Sequence, residues 1–96
     1  MERPEVSVVL PCRNEEAAIW QCILEIRRFL EQEKLQGEIL VADNASTDRS
    51  AEIAGRMGAR VVREEKPGYG YTLRAGIAAA AGVIIFLETA IQPMIS

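Results

Sequence analysis

Four side chains in this 96-residue sequence carry groups that could act on one ligand: the carboxylates of Glu15 and Asp43 and the cations of Lys66 and Arg74. A carboxylate accepts hydrogen bonds from a base N–H or a ribose hydroxyl, and a cation neutralises phosphate, so a nucleoside diphosphate would use both signs. A plainer reading uses the same residues: Asp43 and Asp48 order a turn and cap a helix, and Arg74 is a solvated helix charge. The sequence contains no histidine, which removes the Ser-His-Asp and Cys-His nucleophile systems. Cys12 and Cys22 stand too far apart for a C-x-x-C pair and have no histidine to complete a zinc set. Cys22 is expected in the core, and Cys12 is reactive only where its surroundings stabilise a thiolate.

These groups meet only if the backbone brings them to one edge. The run Val6-Ser-Val-Val-Leu reads as a strand ended by Pro11, which has no N–H for a ladder, and Asn14 offers a side-chain cap for a following helix. Ile19, Cys22, Ile23, Ile26 and Leu30 recur at helical spacing and predict a helix over 15–33. Residues 38–43 are a short, nearly continuous apolar run that places Asp43 at its carboxyl end, as in a parallel strand covered on both sides. The turn-rich segment 44–48 leads into a helix over 49–57 with Ile53, Ala54 and Met57 on one face. Gly58 ends it, and residues 59–63 supply a third strand. A loop over 64–70 precedes a helix starting at Tyr71, with Leu73, Ile77 and Ala80 as its packing face, and Gly82 releases the chain into a strand over 83–87. Ile84, Ile85 and Phe86 in that strand are expected to be incompletely covered. Strand and helix alternating in this order predict an α/β fold with a doubly wound, Rossmann-like, mostly parallel sheet of about four strands and three helices. In such a sheet the strand ends carrying Cys12 to Glu15 and Asp43 face the ligand crevice.

Composition narrows the rest. A net charge of −3 with 49% hydrophobic residues is that of a globular domain, and no basic excess points to nucleic acid. The longest apolar run, 77–87, is interrupted by Gly82 and falls short of the ~20 residues that cross a bilayer. No basic head and apolar core precede the first strand, so the cytoplasm is the expected compartment. The turn after the first strand lacks the glycines of G-x-G-x-x-G, Leu73 stands where a third glycine would follow Gly68 and Gly70, and G-x-x-x-x-G-K-S/T is absent. Dinucleotide and P-loop chemistry are therefore not indicated.

Taken together, Val6-Ser-Val-Val-Leu-Pro-Cys-Arg-Asn-Glu-Glu, Val41-Ala-Asp-Asn-Ala-Ser-Thr-Asp48, Lys66-Pro-Gly-Tyr-Gly70 and Leu73-Arg-Ala-Gly-Ile77 resemble the successive opening motifs of family 2 inverting glycosyltransferases, closest to the dolichol-phosphate mannosyltransferase-like subgroup. The resemblance implies the nucleotide-sugar-binding half of a GT-A type domain. It places Pro11, Cys12, Arg13, Asn14, Glu15, Asp43, Asn44, Lys66, Gly70 and Arg74 around a nucleotide diphosphate sugar. Asp43 would accept from the base, Glu15 would fix the nucleoside, and Lys66 or Arg74 would lie near the diphosphate or the bound loop. No catalytic residue and no metal ligand is expected in this chain.

The family's Asp-x-Asp segment, whose carboxylates bind Mg or Mn at the donor's diphosphate, belongs after the fourth strand, where this sequence reads Glu88-Thr-Ala-Ile-Gln-Pro93. The whole of 1–96 is thus expected to be the N-terminal part of such a domain, inactive by itself, with its membrane-associated acceptor, a polyprenyl phosphate or another, handled by an intact relative. Residues 88–96 are expected to be a non-native tail. Read one base out of frame, their codons permit Gly-Asp-Gly-Asp-Thr-Ala-Tyr-Asp-Phe, which resembles the missing segment. The alternative function is a non-catalytic nucleotide-binding or interaction module using the same crevice.

Overall fold

The computed structural model describes residues 3–87; the expected non-native tail at 88–96 lies outside them. Seven elements alternate: β1 (Val6–Cys12), α1 (Ile19–Gln32), β2 (Gly37–Asp43), α2 (Ser50–Arg56), β3 (Arg60–Arg63), α3 (Tyr69–Ala79) and β4 (Val83–Phe86). All pairings are parallel and the strand order is β3-β2-β1-β4, the doubly wound sheet expected of this alternation.

Successive residues of a strand face opposite sides, and the two faces of this sheet are covered differently. Val8, Leu10, Ile39 and Val41 join Ile19, Ile23, Ile26 and Leu30 of α1 and Ala54 of α2 in the main core. On the other face α3 presses against Val9 and Ala42 through Gly76, where a Cβ would lie 2.6 Å from the Val9 Cγ1. The buried residues of α3 are accordingly Thr72 and Gly76, while Ile77, expected to pack, is 48% exposed. Hydrophobic periodicity pointed to the wrong stripe because the close approach is made by a residue with no side chain.

Three boundaries differ from expectation. β1 runs through Pro11 to Cys12. The Val9 carbonyl bonds the Leu87 N–H on the β4 side, so position 11 faces that side too, beyond the end of β4, where the ladder calls for no donor among the described residues. Residues 15–18 form a turn ahead of α1, bonded to the Glu15 carbonyl, and Asn14 does not cap the helix: the N-cap position is Ala18, with no side-chain cap. Finally, α3 begins at Tyr69, which takes Gly70 out of the loop and into the first helical turn.

At the amino end of the sheet a polar clamp fixes the junction of α3 and β4. The Glu38 carboxylate accepts from the Ser7 hydroxyl at 2.6 Å, the Ala81 N–H at 3.0 Å and the Arg60 guanidinium at 3.0 and 3.1 Å. Ser7, fully buried, also accepts from the Gly82 N–H at 2.8 Å. Burial works against the Glu38 charge, but the Ser7, Ala81 and Arg60 bonds outweigh it and hold the carboxyl below its ordinary range. On β4, Ile84 and Ile85 are half-buried and Phe86 is exposed, as expected, since that strand pairs only with β1 among the described residues.

Candidate functional site

Three loops meet at the carboxyl ends of the strands: the first at 13–18, the second at 44–49 and the third at 64–68. The second ties the other two down. Its Asn44 side chain donates to the Glu64 carbonyl at 2.9 Å and the Lys66 carbonyl at 2.8 Å, and accepts from the Gly68 N–H at 3.3 Å. Asn14, at φ 52°, reaches the other way: its Oδ1 accepts from the Thr47 N–H at 2.8 Å and the Asp48 N–H at 3.3 Å. Asparagine tolerates this left-handed backbone better than other side chains because its short amide can satisfy nearby backbone groups.

Between the first loop and the start of α3 lies a cavity of about 300 Å³ lined by Pro11, Cys12, Arg13, Glu15, Asn44, Tyr69 and Thr72. Five of the residues singled out from the sequence, Pro11, Cys12, Arg13, Glu15 and Asn44, are brought together there. Asp43 sits beneath this surface with no exposure; its Oδ1 accepts from the Ser46 hydroxyl at 2.6 Å, and its Oδ2 from the Ser46 N–H at 3.1 Å. Arg63 approaches the same carboxylate at 3.4 Å while bonding Glu65 at 2.6 Å. Of the two readings of Asp43, these are the partners of a turn organiser. Lys66 and Arg74 are not in this cavity; with Glu64, Tyr71, Ala75 and Ala78 they line a separate hollow on another stripe of α3, where the Lys66 ammonium lies 5.2 Å from the Tyr71 ring centroid. Gly70 lines neither, and a Cβ there would meet nothing within 4 Å.

Tyr69 and Thr72 are the lining residues that the sequence reading missed. Their three-residue spacing puts both on the cavity side of α3, a signal hidden by starting the helix at Tyr71. Thr72 is held in place by its hydroxyl, which donates to the Gly68 carbonyl at 3.0 Å.

Cys12 is 3% exposed. Burial pushes its thiol up, Asp43 and Glu15 add to this, and the Ser50 hydroxyl and the Glu15 backbone only partly offset it, leaving the group at about 11 against an ordinary 9.0. At neutral pH about one thiol in ten thousand is then ionised, far too few for a nucleophile. Cys12 in the folded chain should therefore resist iodoacetamide at pH 7.5 for hours and label rapidly once urea unfolds it. Peptide mapping by mass spectrometry reads this directly, and labelling at the unfolded rate in the native chain would contradict it.

Among the described residues no three Cys, Asp or Glu side chains converge as a metal ligand set. Glu15 and Asp43 are separated by their roles, one lining the cavity and the other enclosed by Ser46 and Arg63. The place of the expected Asp-x-Asp segment lies outside the described residues.

A family model described as glycosyl transferase family 2 matches residues 7–88. A low-salt glycan biosynthesis hexosyltransferase of Haloferax volcanii is 48% identical over 68 residues, covering 71% of this chain and 16% of its own length. A dolichyl-phosphate hexose transferase of the same organism is 37% identical over 75 residues, covering 78% of this chain and 31% of its own. Among solved structures, glucosyl-3-phosphoglycerate synthase from Mycobacterium tuberculosis, in complex with Mn2+, UDP and glucosyl-3-phosphoglycerate, superposes with a TM-score of 0.76 at 34% identity, over 88% of this chain and 33% of that one. The chain thus spans about a third or less of the length of these relatives.

Proposed function

The chain belongs to glycosyl transferase family 2, and from that premise we propose that residues 11–15, 44, 69 and 72 hold the nucleotide of a nucleotide diphosphate sugar whose sugar is transferred, with inversion, to an acceptor. The observation that carries this reading is the cavity at the carboxyl ends of β1 and β2, in a chain 34% identical to a synthase crystallised with UDP and Mn2+. Open α/β sheets bind ligands at this edge, and the cavity sets Pro11 and Cys12 beside the polar groups of Arg13, Glu15, Asn44, Tyr69 and Thr72, the kind of groups that orient a small molecule.

Arg13 and Glu15 offer one charge of each sign at the wall, for phosphate and ribose respectively. Asn44 acts at one remove, since its amide is engaged in holding the third loop. Lys66 and Arg74 supply positive charge on the far side of α3, towards a diphosphate that extends out of the cavity. A Mg or Mn ion would neutralise the diphosphate leaving group, and the described residues provide no ligand set for it. A phosphate-bearing lipid suits the acceptor, because a phosphate is already an anion and needs little help from a general base; the naming of one relative as a dolichyl-phosphate hexose transferase supports this class. No helix among the described residues is long and apolar enough to cross a membrane. For a lipid-borne acceptor embedded in the membrane, the proposed reaction takes place at the cytoplasmic face.

Calorimetric titration with UDP and with GDP, with and without Mn2+, tests the reading on this chain. Saturable binding of one diphosphate, competed by its nucleotide sugar, is the expected result. Absence of binding by either nucleotide to the folded chain would overturn it.

A further inference from the structure

Three successive backbone amides of the first loop are each held by a side chain of the second loop or of the first turn of α2. The Asn14 N–H donates to the Ser46 Oγ at 2.9 Å, the Glu15 N–H to the Ser50 Oγ at 2.7 Å and the Glu16 N–H to an Asp48 oxygen at 3.1 Å. Neither serine is free to rotate. The Ser46 hydroxyl donates to Asp43 at 2.6 Å and the Ser50 hydroxyl to Asp48 at 2.6 Å, so each keeps its lone pairs turned towards the first loop. Asp48 thus acts twice, once directly on Glu16 and once through Ser50, which is itself fully buried. A bond in the opposite direction closes the clasp: the Arg49 N–H donates to the Glu16 carboxylate at 3.0 Å.

From this geometry we infer that Asp48, which does not line the cavity, is a positioning residue for nucleotide binding: it fixes the amides of Glu15 and Glu16 and so sets where Arg13 and Glu15 present their side chains. The inference rests on the nucleotide-holding role proposed above for that cavity. It follows from how the loop is built. Asn14 and Ala45 both stand in the left-handed region, at φ 52° and 54°, a conformation that non-glycine residues keep only where their surroundings over-determine it. The clasp supplies those surroundings. Binding to a loop already held in place avoids the ordering penalty that a free loop would incur when the ligand arrives.

The test compares the parent chain with Asp48→Asn, Asp48→Ala and a control, Glu52→Gln, on the helix that follows Asp48. Among the described residues the Glu52 carboxylate pairs with Arg49 and Arg56 alone, at the surface of α2. UDP and GDP, each with Mn2+, serve as probes in calorimetry, at a temperature where circular dichroism shows every variant fully folded. We expect Asp48→Ala to weaken binding at least tenfold. Asp48→Asn, whose single carbonyl can serve Ser50 or Glu16 but not both, should fall between Ala and parent, and Glu52→Gln should match the parent. Amide hydrogen exchange gives a second readout that general destabilisation does not reproduce: amides 15 and 16 should exchange faster in Asp48→Ala while that of Asn14, held through Ser46 and Asp43, and those of the β1–β2 ladder keep their protection. A folded Asp48→Ala chain with parental affinity, or with unchanged exchange at 15 and 16, overturns the inference and leaves the nucleotide reading standing. A parent that binds neither diphosphate overturns both.

Discussion

Gly82→Ala is expected to lower the melting temperature of this chain by roughly 15 °C, which for a domain of this size corresponds to about 3 kcal/mol. A Cβ at position 82 would lie 2.6 Å from the Pro4 carbonyl oxygen and 2.8 Å from both the carbonyl carbon and oxygen of Glu5. These are backbone atoms at the entrance to β1, so no side chain can swing aside to admit the methyl group. Relief requires β4 to withdraw from β1. That breaks the 2.9 Å bond from the Val83 N–H to the Glu5 carbonyl and pulls the Ala81 and Gly82 amides from the Ser7 hydroxyl, which is left with its bond to Glu38 alone. Gly55→Ala is the matched control: it lies inside α2 with nothing within 4 Å of the added carbon, and alanine there should stabilise by about 0.5–1 kcal/mol. Thermal unfolding followed by circular dichroism measures both. A Gly82→Ala chain melting within a few degrees of the parent would show that the seam between β1 and β4 is looser than described.

Asp43→Ala should reduce both stability and nucleotide affinity. The carboxylate is wholly enclosed, and its loss strands the Ser46 N–H and hydroxyl in the protein interior, each at about 1–3 kcal/mol. With Ser46 unrestrained, the amide of Asn14 loses its oriented acceptor, and the cavity wall loosens from the same side. Asp43→Asn keeps one acceptor but turns an N–H2 group towards Ser46 or Arg63, both donors, so about 1.5–3 kcal/mol of destabilisation and at least a tenfold loss of UDP or GDP affinity are expected. Denaturant titration and calorimetry on folded protein separate the two effects. Equal affinities in Asp43→Asn and parent would confine Asp43 to ordering the turn, whereas an unchanged denaturation midpoint would mean that the Ser46 bonds contribute nothing.

The fold was readable because each strand advertises itself locally. Residues 39–42 are apolar without interruption, as a strand covered on both faces must be, and Ile19, Ile23, Ile26 and Leu30 form a helical stripe that the structure buries. The placement of α3 was less legible, since its contact with Val9 is made through Gly76 and its first turn contains Gly70, and neither glycine contributes to a hydrophobic pattern. The site was readable as a location but not as a wiring diagram. Asn14, Asn44, Ser46, Asp48 and Ser50 all belong to the residue types that cap helices and order turns. In this chain the bonds joining the first loop to the second span 32 to 35 residues, and local sequence carries no information about which of several equivalent hydroxyls and amides will meet across such a gap.

The position of β1 between β2 and β4 also dictates an order of assembly. The Ser7 hydroxyl meets Glu38 after 31 residues of chain but Gly82 only after 75. Loop-closure entropy favours the shorter connection by about 0.8 kcal/mol, and synthesis at ~5–20 residues per second presents β2 several seconds before β4. Although it precedes the other three strands in this chain, β1 is thus among the last to be enclosed, and its edge towards β4, where the Val9 carbonyl meets the Leu87 N–H in the finished sheet, stays unpaired throughout that interval. The nascent chain is accordingly most exposed to misassociation at its middle strand, and faster completion of residues 83–86 on the ribosome should raise the yield of soluble protein.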